Sequence, residues 1–205
     1  MKTSTLLSQR WLQITRVVRI VAYYVLPTML LVGSLLFGSE VRFIAQFGNA
    51  ALFLILGNLF LKPVALITKN GIVSLLLTLR REMGVASFWL YIFHAVGMVN
   101  IYKFQPADFA GIDNFLLYGS LAGMGMWVLG LTSNNGAQKL LKKNWKKVQM
   151  VAYPVLFLAL LHGAKAQTEI EKFYLFSTLY LFLKALQFKK VDLSVQFGKL
   201  PLWLQ

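Results

Sequence analysis

Long apolar runs alternate with short polar, mostly basic segments along the whole chain. A transmembrane helix needs about 20 predominantly apolar residues, and several stretches approach that length and composition. A proline inside such a stretch is tolerated, because neighbouring groups satisfy the freed backbone atoms. The pattern therefore predicts six membrane-spanning helices, over residues 17–37, 49–68, 85–104, 115–133, 148–164 and 171–188.

The remaining residues lie at the two ends of this membrane domain and in short loops. We expect residues 1–16 to form a basic interfacial lead-in, residues 17–188 the six-helix domain and residues 189–205 a tail. Arg10 and Arg16 interrupt the first apolar run, and no small-residue cleavage site follows it, which argues against a removable signal peptide. The predicted fold class is therefore an all-α integral membrane protein with one helical bundle.

Composition supports this assignment. Apolar residues make up 58% of the 205 residues and charged residues only 14%, against about 25% charged residues in a soluble domain. The formal net charge of +14 resides in clusters between apolar runs rather than on a solvated face of the kind that binds nucleic acid. The chain has no cysteine, which excludes disulfides, zinc–thiolate sites and cysteine-ligated iron–sulfur clusters.

The basic residues also predict the orientation of the bundle. Cytoplasmic loops of membrane proteins are enriched in Lys and Arg. With six spans, one side holds fifteen basic residues and the opposite side holds four, namely Arg42, Lys103, Lys165 and Lys172. The densest cluster, within Lys139–Lys147, lies in the loop between spans 4 and 5. Both termini are therefore expected in the cytoplasm.

The two histidines are the candidate functional residues, since ionisable side chains inside a membrane span are expensive and commonly functional. His94 lies 13 residues beyond Arg81 on span 3, and His162 lies 15 residues beyond Lys147 on span 5. At about 1.5 Å per residue, both imidazoles reach a similar depth in the outer half of the membrane. An iron porphyrin held by one axial imidazole on each face requires such a pair.

Other chemistry fits two histidines as well. Each could be an interhelical hydrogen-bonding residue, and His162 could be an interfacial polar residue close to Lys165. A zinc or copper site lacks a third ligand at that depth, and a proton relay lacks acidic residues within the spans. The glycines of span 4, Gly119 and Gly123, fit ordinary close helix packing.

Several motifs resemble one family. The segment 80–85 (RREMGV), followed by Phe88, Tyr91 and His94, is similar to the R-R-x-L-G-L…F…Y…H signature of ferric reductase-like transmembrane domains. Within that family the chain most resembles the haem-binding subunit of the bacterial periplasmic methionine sulfoxide reductase system. Further matching residues are Gly48, Ala51, Leu52 and Pro63 of span 2, Leu131-Thr132-Ser133 at the end of span 4, and Trp145, Tyr153, Leu161 and His162 of span 5.

The resemblance implies a b-type cytochrome in the bacterial inner membrane, with His94 and His162 as axial ligands of a haem b iron. It implies an electron-transfer subunit rather than a self-contained enzyme, with a quinol or a cytoplasmic flavin reductase as donor and a periplasmic reductase as acceptor. FMN is a further cofactor found with the family. The alternatives are a ferric reductase-like cytochrome with another acceptor, and a haem-free membrane scaffold.

One position departs from the family pattern. Gln149 stands where the family has histidine, 13 residues before His162, and Arg81 lies 13 residues before His94. Neither side chain replaces an axial imidazole. The sequence therefore predicts one haem, in the outer half of the membrane, and no second haem below it.

Overall fold

The computed structural model describes residues 2–37, 40–103, 115–166 and 170–188, and this part of the chain is helical almost throughout, without a strand. The α-helices are α1 (Lys2–Ile20), α2 (Leu26–Phe37), α3 (Val41–Thr68), α4 (Gly71–Leu76), α5 (Arg80–Tyr102), α6 (Phe115–Thr132), α7 (Asn135–Leu141), α8 (Trp145–Gln149), α9 (Ala152–Lys165) and α10 (Ile170–Phe188). Two 3₁₀ turns, Leu77–Leu79 and Lys142–Asn144, and one π-helical turn, Val21–Val25, complete the order.

The π-helical turn joins α1 to α2 without interrupting the helix. Pro27 follows it, and proline has no N–H to donate to the carbonyl of Tyr23 four residues earlier. The backbone widens there, and the N–H of Leu26 bonds the carbonyl of Val21, five residues back. The widened turn also carries Tyr23, whose hydroxyl donates to the carbonyl of Ser133 at 3.2 Å. This bond ties the first helix to the end of α6.

Helices α3 and α5 form an antiparallel hairpin. Between them Asn70 caps α4, accepting from the N–H groups of Ile72 and Val73. Deep inside the pair, the hydroxyl of Ser87 donates to the carbonyl of Ala51 at 2.7 Å. Ser87 is 1% exposed, so this bond satisfies a polar group that would otherwise be buried without a partner.

Helices α6 and α9 form a second hairpin, separated by the basic segment of α7 and α8. The segment Asn135–Gln149 meets α9 at an angle of 44°. Pro154 lies in the first turn of α9 and leaves the carbonyl of Met150 without its usual donor. Tyr153 donates to that carbonyl instead, at 3.1 Å, which tightens the backbone at the bend.

The main apolar core lies where α3, α6, α9 and α10 meet. Its buried side chains come from all four helices and are Leu52, Ile55, Leu56, Leu59, Met126, Val155, Leu156 and Tyr180. A second, smaller cluster of Leu30, Ala51 and Leu90 joins α2 to the first hairpin. Many other large apolar residues are exposed, as expected where lipid replaces water.

The predicted helices are confirmed as helices, whereas the number of membrane spans is confirmed only in part. In the described ranges, four helices are long and apolar enough to cross a membrane: Gln9–Gly33, Val41–Thr68, Gly71–Tyr102 and Phe115–Thr132. The bent pair Asn135–Gln149 and Ala152–Lys165 makes a fifth if it counts as one span. The predicted sixth span forms α10, whose apolar part, Ser177–Leu186, is shorter.

Two boundaries differ from the sequence prediction, and two predicted regions lie outside the described residues. The helix of the predicted second span begins at Val41 rather than at residue 49, because polar residues lower the hydropathy there without preventing helical hydrogen bonds. The predicted fifth span, 148–164, is divided by the bend before Ala152. The loop at 104–114 and the tail at 189–205 are not described.

Candidate functional site

His94 lies on α5 and faces α3. Its Nδ1 is 3.1 Å from the carbonyl oxygen of Ile44. A carbonyl oxygen only accepts, so the ring must donate through Nδ1, and the neutral imidazole then keeps its lone pair on Nε2. The ring lies directly on Gly48, where a Cβ atom would be only 2.9 Å from Nδ1. The glycine therefore makes room for the imidazole.

His162 has the same arrangement in the second hairpin. Its Nδ1 is 2.8 Å from the carbonyl oxygen of Phe115, at the start of α6. A Cβ atom on Gly119 would be 2.8 Å from that nitrogen. The ring of Phe115 also lies beside the imidazole, with centres 5.6 Å apart. His162 thus presents Nε2 as its remaining ligand atom, as His94 does.

The two hairpins repeat one local design. In each, a carbonyl on the first helix accepts from the histidine of the second helix, and a glycine four residues after the carbonyl lies under the ring. The pairs are Ile44 with Gly48 and Phe115 with Gly119. A backbone carbonyl bonded to one imidazole nitrogen is the usual way in which proteins orient a metal-binding histidine.

The two imidazoles face each other across the hairpins. Their ring centres are 6.3 Å apart and their planes are inclined by 73°. Two imidazoles that ligate one metal from opposite sides, each with a bond of about 2.0 Å and a ring centre roughly 1.1 Å beyond the nitrogen, have centres about 6.2 Å apart. The observed separation therefore fits a metal ion between the two rings.

Further protein ligands are not gathered around this pair. Within the described ranges, no three His, Cys, Asp or Glu side chains come close enough together to hold a metal ion. A site built on His94 and His162 alone leaves the other coordination positions to a ligand that brings its own donor atoms. A porphyrin supplies four nitrogens in one plane, so the donor set fits haem better than a bare ion.

The level of the bundle where a second haem would lie is occupied by other hydrogen bonds. Gln149 donates from Nε2 to the hydroxyl of Thr132 at 2.9 Å. The indole N–H of Trp145 donates to the carbonyl of the same threonine at 2.9 Å. Arg81, on the facing helix, pairs with Glu82 at 3.6 Å. Both residues that replace the inner ligands are therefore engaged elsewhere.

Aromatic side chains pack between this level and the histidines. Phe88 lies against Gly130, and its ring centre is 5.2 Å from that of Trp127. Tyr91 lies against Gly123, the second glycine of the predicted packing motif. By contrast, Phe157, which the sequence also offered as a pocket residue, is 62% exposed.

Sequence reasoning missed three features of this region. It gave Gly48 and Gly119 no place beneath the imidazoles, and it did not identify the carbonyl acceptors. It also passed over Glu82, which is 2% exposed. A signal was available for Glu82, because it is an isolated acid among arginines at the start of an apolar helix.

No protein-family model matches this chain, and no solved structure is similar to it. The comparisons therefore add nothing to the resemblance carried by the motifs.

Proposed function

We propose that this protein is a membrane-embedded b-type cytochrome that holds one haem b between His94 and His162. The observation that carries the proposal is the separation of 6.3 Å between the two ring centres. Both rings are fixed through Nδ1 to a carbonyl, which leaves both Nε2 atoms for iron. The motifs that resemble ferric reductase-like transmembrane domains support the same cofactor.

A haem between the two hairpins would take up and release one electron at a time. The residues of the chain would hold and orient it: the histidines as axial ligands, Gly48 and Gly119 by admitting the rings, and the carbonyls of Ile44 and Phe115 by fixing the ring orientation. The surrounding apolar helices keep water away, which influences the reduction potential of a haem.

The direction of electron flow follows from the proposed topology. With six spans and both termini in the cytoplasm of a bacterial inner membrane, the histidine pair lies in the periplasmic half. The chain would then pass electrons from a quinol or a cytoplasmic flavin reductase, with or without FMN, to a periplasmic reductase of the methionine sulfoxide repair type. The protein would be the electron-transfer subunit of that oxidoreductase.

Two alternatives remain distinct from this proposal. A ferric reductase-like cytochrome with another acceptor would use the same histidine pair. A haem-free scaffold is favoured by one observation, the hydrogen bonds from both histidines to the neighbouring helices, at 3.1 and 2.8 Å. In the scaffold these bonds would be the whole purpose of the two residues.

The visible absorption spectrum of the purified, dithionite-reduced protein tests the proposal. We expect a low-spin b-type spectrum, because six-coordinate iron needs both imidazoles. His94→Ala and His162→Ala should each abolish it, and the double variant should lose nothing more. Ser120→Ala is the matched control, because this hydroxyl is exposed and bonds only the Leu116 carbonyl of its own helix. A normal spectrum in either histidine variant would remove the ligand assignment.

A further inference from the structure

A buried charged cluster lies at the end of the bundle opposite the histidines. Its centre is Glu82, on the first turn of α5, whose side chain is 3% exposed. Arg19 of α1 reaches Glu82 Oε1 at 3.1 Å, and Arg81 approaches the same oxygen at 3.6 Å. The two arginine side chains are 54% and 26% exposed. The carboxylate therefore lies beneath two arginines that are open to the surroundings.

The second carboxylate oxygen of Glu82 has no partner. Oε2 is buried and makes no hydrogen bond within the described part of the chain. Buried polar atoms in proteins are nearly always satisfied, and leaving a charged one unsatisfied is especially unfavourable. The other polar groups that face the cluster are Tyr23 from the π-helical turn, which bonds Ser133, and Asn135 from α7, which bonds Arg81.

The cluster combines complementary hydrogen-bonding groups. Arginine only donates, and an ionised carboxylate only accepts. Two arginines against one glutamate also leave one excess positive charge. A ligand whose oxygens alternate between hydroxyl and carbonyl satisfies such a cluster in both states: the hydroxyl donates to Glu82 Oε2, and the carbonyl accepts from Arg19 or Arg81. The hydroquinone–quinone couple has this chemistry.

We propose that Glu82 is the proton acceptor for a membrane-soluble hydroquinone that donates electrons to this protein. The inference rests on the proposed haem as the electron acceptor and names the donor class and its binding residues. Glu82 lies twelve residues before His94 on α5, about 18 Å along the helix axis. Phe88 and Tyr91 lie between the two levels on the same helix.

The reaction balances in two equal steps. In the first, one hydroquinone O–H bond breaks, the proton passes to Glu82 Oε2, and one electron passes to ferric iron, which leaves a semiquinone. The excess positive charge of Arg19 and Arg81 stabilises the electron-rich semiquinone oxygen. After Glu82 releases its proton to the cytoplasmic side and the iron passes its electron on, the second proton and electron follow the same route and quinone leaves.

The same cluster disfavours a phosphate-bearing donor such as reduced FMN. A phosphate would be attracted by Arg19 and Arg81, but it would be repelled by the carboxylate between them, since like charges at short range raise each other's energy. A neutral hydroquinone meets no such repulsion. Glu82 therefore favours the lipid-soluble donor over the soluble one.

The first experiment measures binding without haem. Decylubiquinol and decylubiquinone are titrated anaerobically, by calorimetry, into the haem-free chain in phosphatidylcholine nanodiscs. Glu82→Gln should weaken binding of the hydroquinone about tenfold or more, the effect of losing a hydrogen bond to a charged group, and should leave quinone binding within about twofold. Glu171→Gln, which alters an exposed acid on α10, should change neither. Equal hydroquinone affinity in Glu82→Gln and the unaltered chain would overturn the proposal.

The second experiment measures reduction of the haem-loaded protein. Decylubiquinol should reduce Glu82→Gln about a hundredfold more slowly than the unaltered chain, within the range for loss of a general base, while dithionite reduces both fully. Glu82→Asp keeps a carboxylate and should recover most of the rate. A Glu82→Asp variant as slow as Glu82→Gln, or equal rates in Glu82→Gln and the unaltered chain, would overturn the role.

The two experiments separate this inference from the proposed function. Absence of a haem band after dithionite treatment would refute the cytochrome, whereas the calorimetric titration still decides whether Glu82 binds a hydroquinone. If Glu82→Gln does not fold, Arg19→Gln replaces it. That variant retains the carboxylate, so it should weaken quinone binding about tenfold, the effect of losing a charged donor, and spare the hydroquinone. Unchanged quinone binding in Arg19→Gln would contradict the assignment.

Discussion

Replacing Gly48 by alanine perturbs the haem site without removing a ligand. The new Cβ atom would lie 2.9 Å from His94 Nδ1 and 3.0 Å from two ring carbons, whereas ordinary contacts are 3.4–4 Å. The imidazole must therefore move by about 0.5 Å or more, since close-packed interiors leave no free space to absorb the added atom. That movement strains the bond to the carbonyl of Ile44, now 3.1 Å.

The magnitude follows from two effects. Weakening the hydrogen bond that orients a metal ligand typically lowers metal affinity 10–100-fold. Overpacking a close-packed site destabilises it by about 1–3 kcal/mol. We therefore expect Gly48→Ala to raise the haem dissociation constant by 10–100-fold, equivalent to about 1.4–2.7 kcal/mol. Gly119→Ala should have a similar effect through His162, because its Cβ atom would be 2.8 Å from that ring.

The assay is a haem titration of the haem-free protein in nanodiscs, followed by absorbance of the bound haem. Gly57→Ala is the matched control on the same helix, because its Cβ atom would be 3.7 Å from Met83 Cε, an ordinary contact. Gly125→Ala tests for general overpacking, since its Cβ atom would collide with Val155 rather than with a histidine. It should lower thermal stability and keep haem binding.

One result would refute the reasoning. If Gly48→Ala binds haem as tightly as the unaltered chain, with the same low-spin spectrum, the contact between glycine and imidazole has no part in positioning a ligand. Equal losses of affinity in Gly48→Ala, Gly57→Ala and Gly125→Ala would show that the effect comes from general destabilisation.

Three further outcomes are expected. A pyridine haemochrome assay should give one haem per chain, and Gln149→His should not add a second, because Arg81 still faces it; two haems in either protein would contradict this. Reporter fusions should place the Lys139–Lys147 segment and both termini in the cytoplasm, as the distribution of basic residues requires, and a periplasmic signal from that segment would reverse the topology. Ser87→Ala should lower the free energy of unfolding by about 0.6–1.7 kcal/mol, the range for interhelical hydrogen bonds in membranes, because the carbonyl of Ala51 loses its buried donor; an unchanged unfolding midpoint in detergent would count against that bond.

The sequence alone determined the helices. Runs of apolar residues, ended by basic clusters, predicted spans at 115–133 and 171–188, and the structure has helices at Phe115–Thr132 and Ile170–Phe188. Helices are local, since each backbone bond joins residues four apart. The bend before α9 was less predictable, because Pro154 by itself does not specify whether a helix breaks or continues. Pro63, for example, lies inside α3, which continues to Thr68.

The sequence also singled out the two histidines, because polar residues are rare within apolar spans and therefore conspicuous. Their partners could not be found in that way. The bonds from His94 to Ile44 and from His162 to Phe115 join residues 50 and 47 positions apart. Those acceptors are backbone carbonyls, which every residue carries, so no side-chain pattern marks them.

Tertiary structure alone decided which glycines and which charge became special. Fifteen glycines are present, and only helix pairing selected Gly48 and Gly119 to lie beneath the imidazoles. Glu82 looked like one more loop charge beside Arg81 until α1 packed against α5 and brought Arg19, 63 positions away, to its carboxylate. Burial of a side chain is a property of the surfaces that cover it, and those surfaces come from parts of the chain that local pattern does not connect.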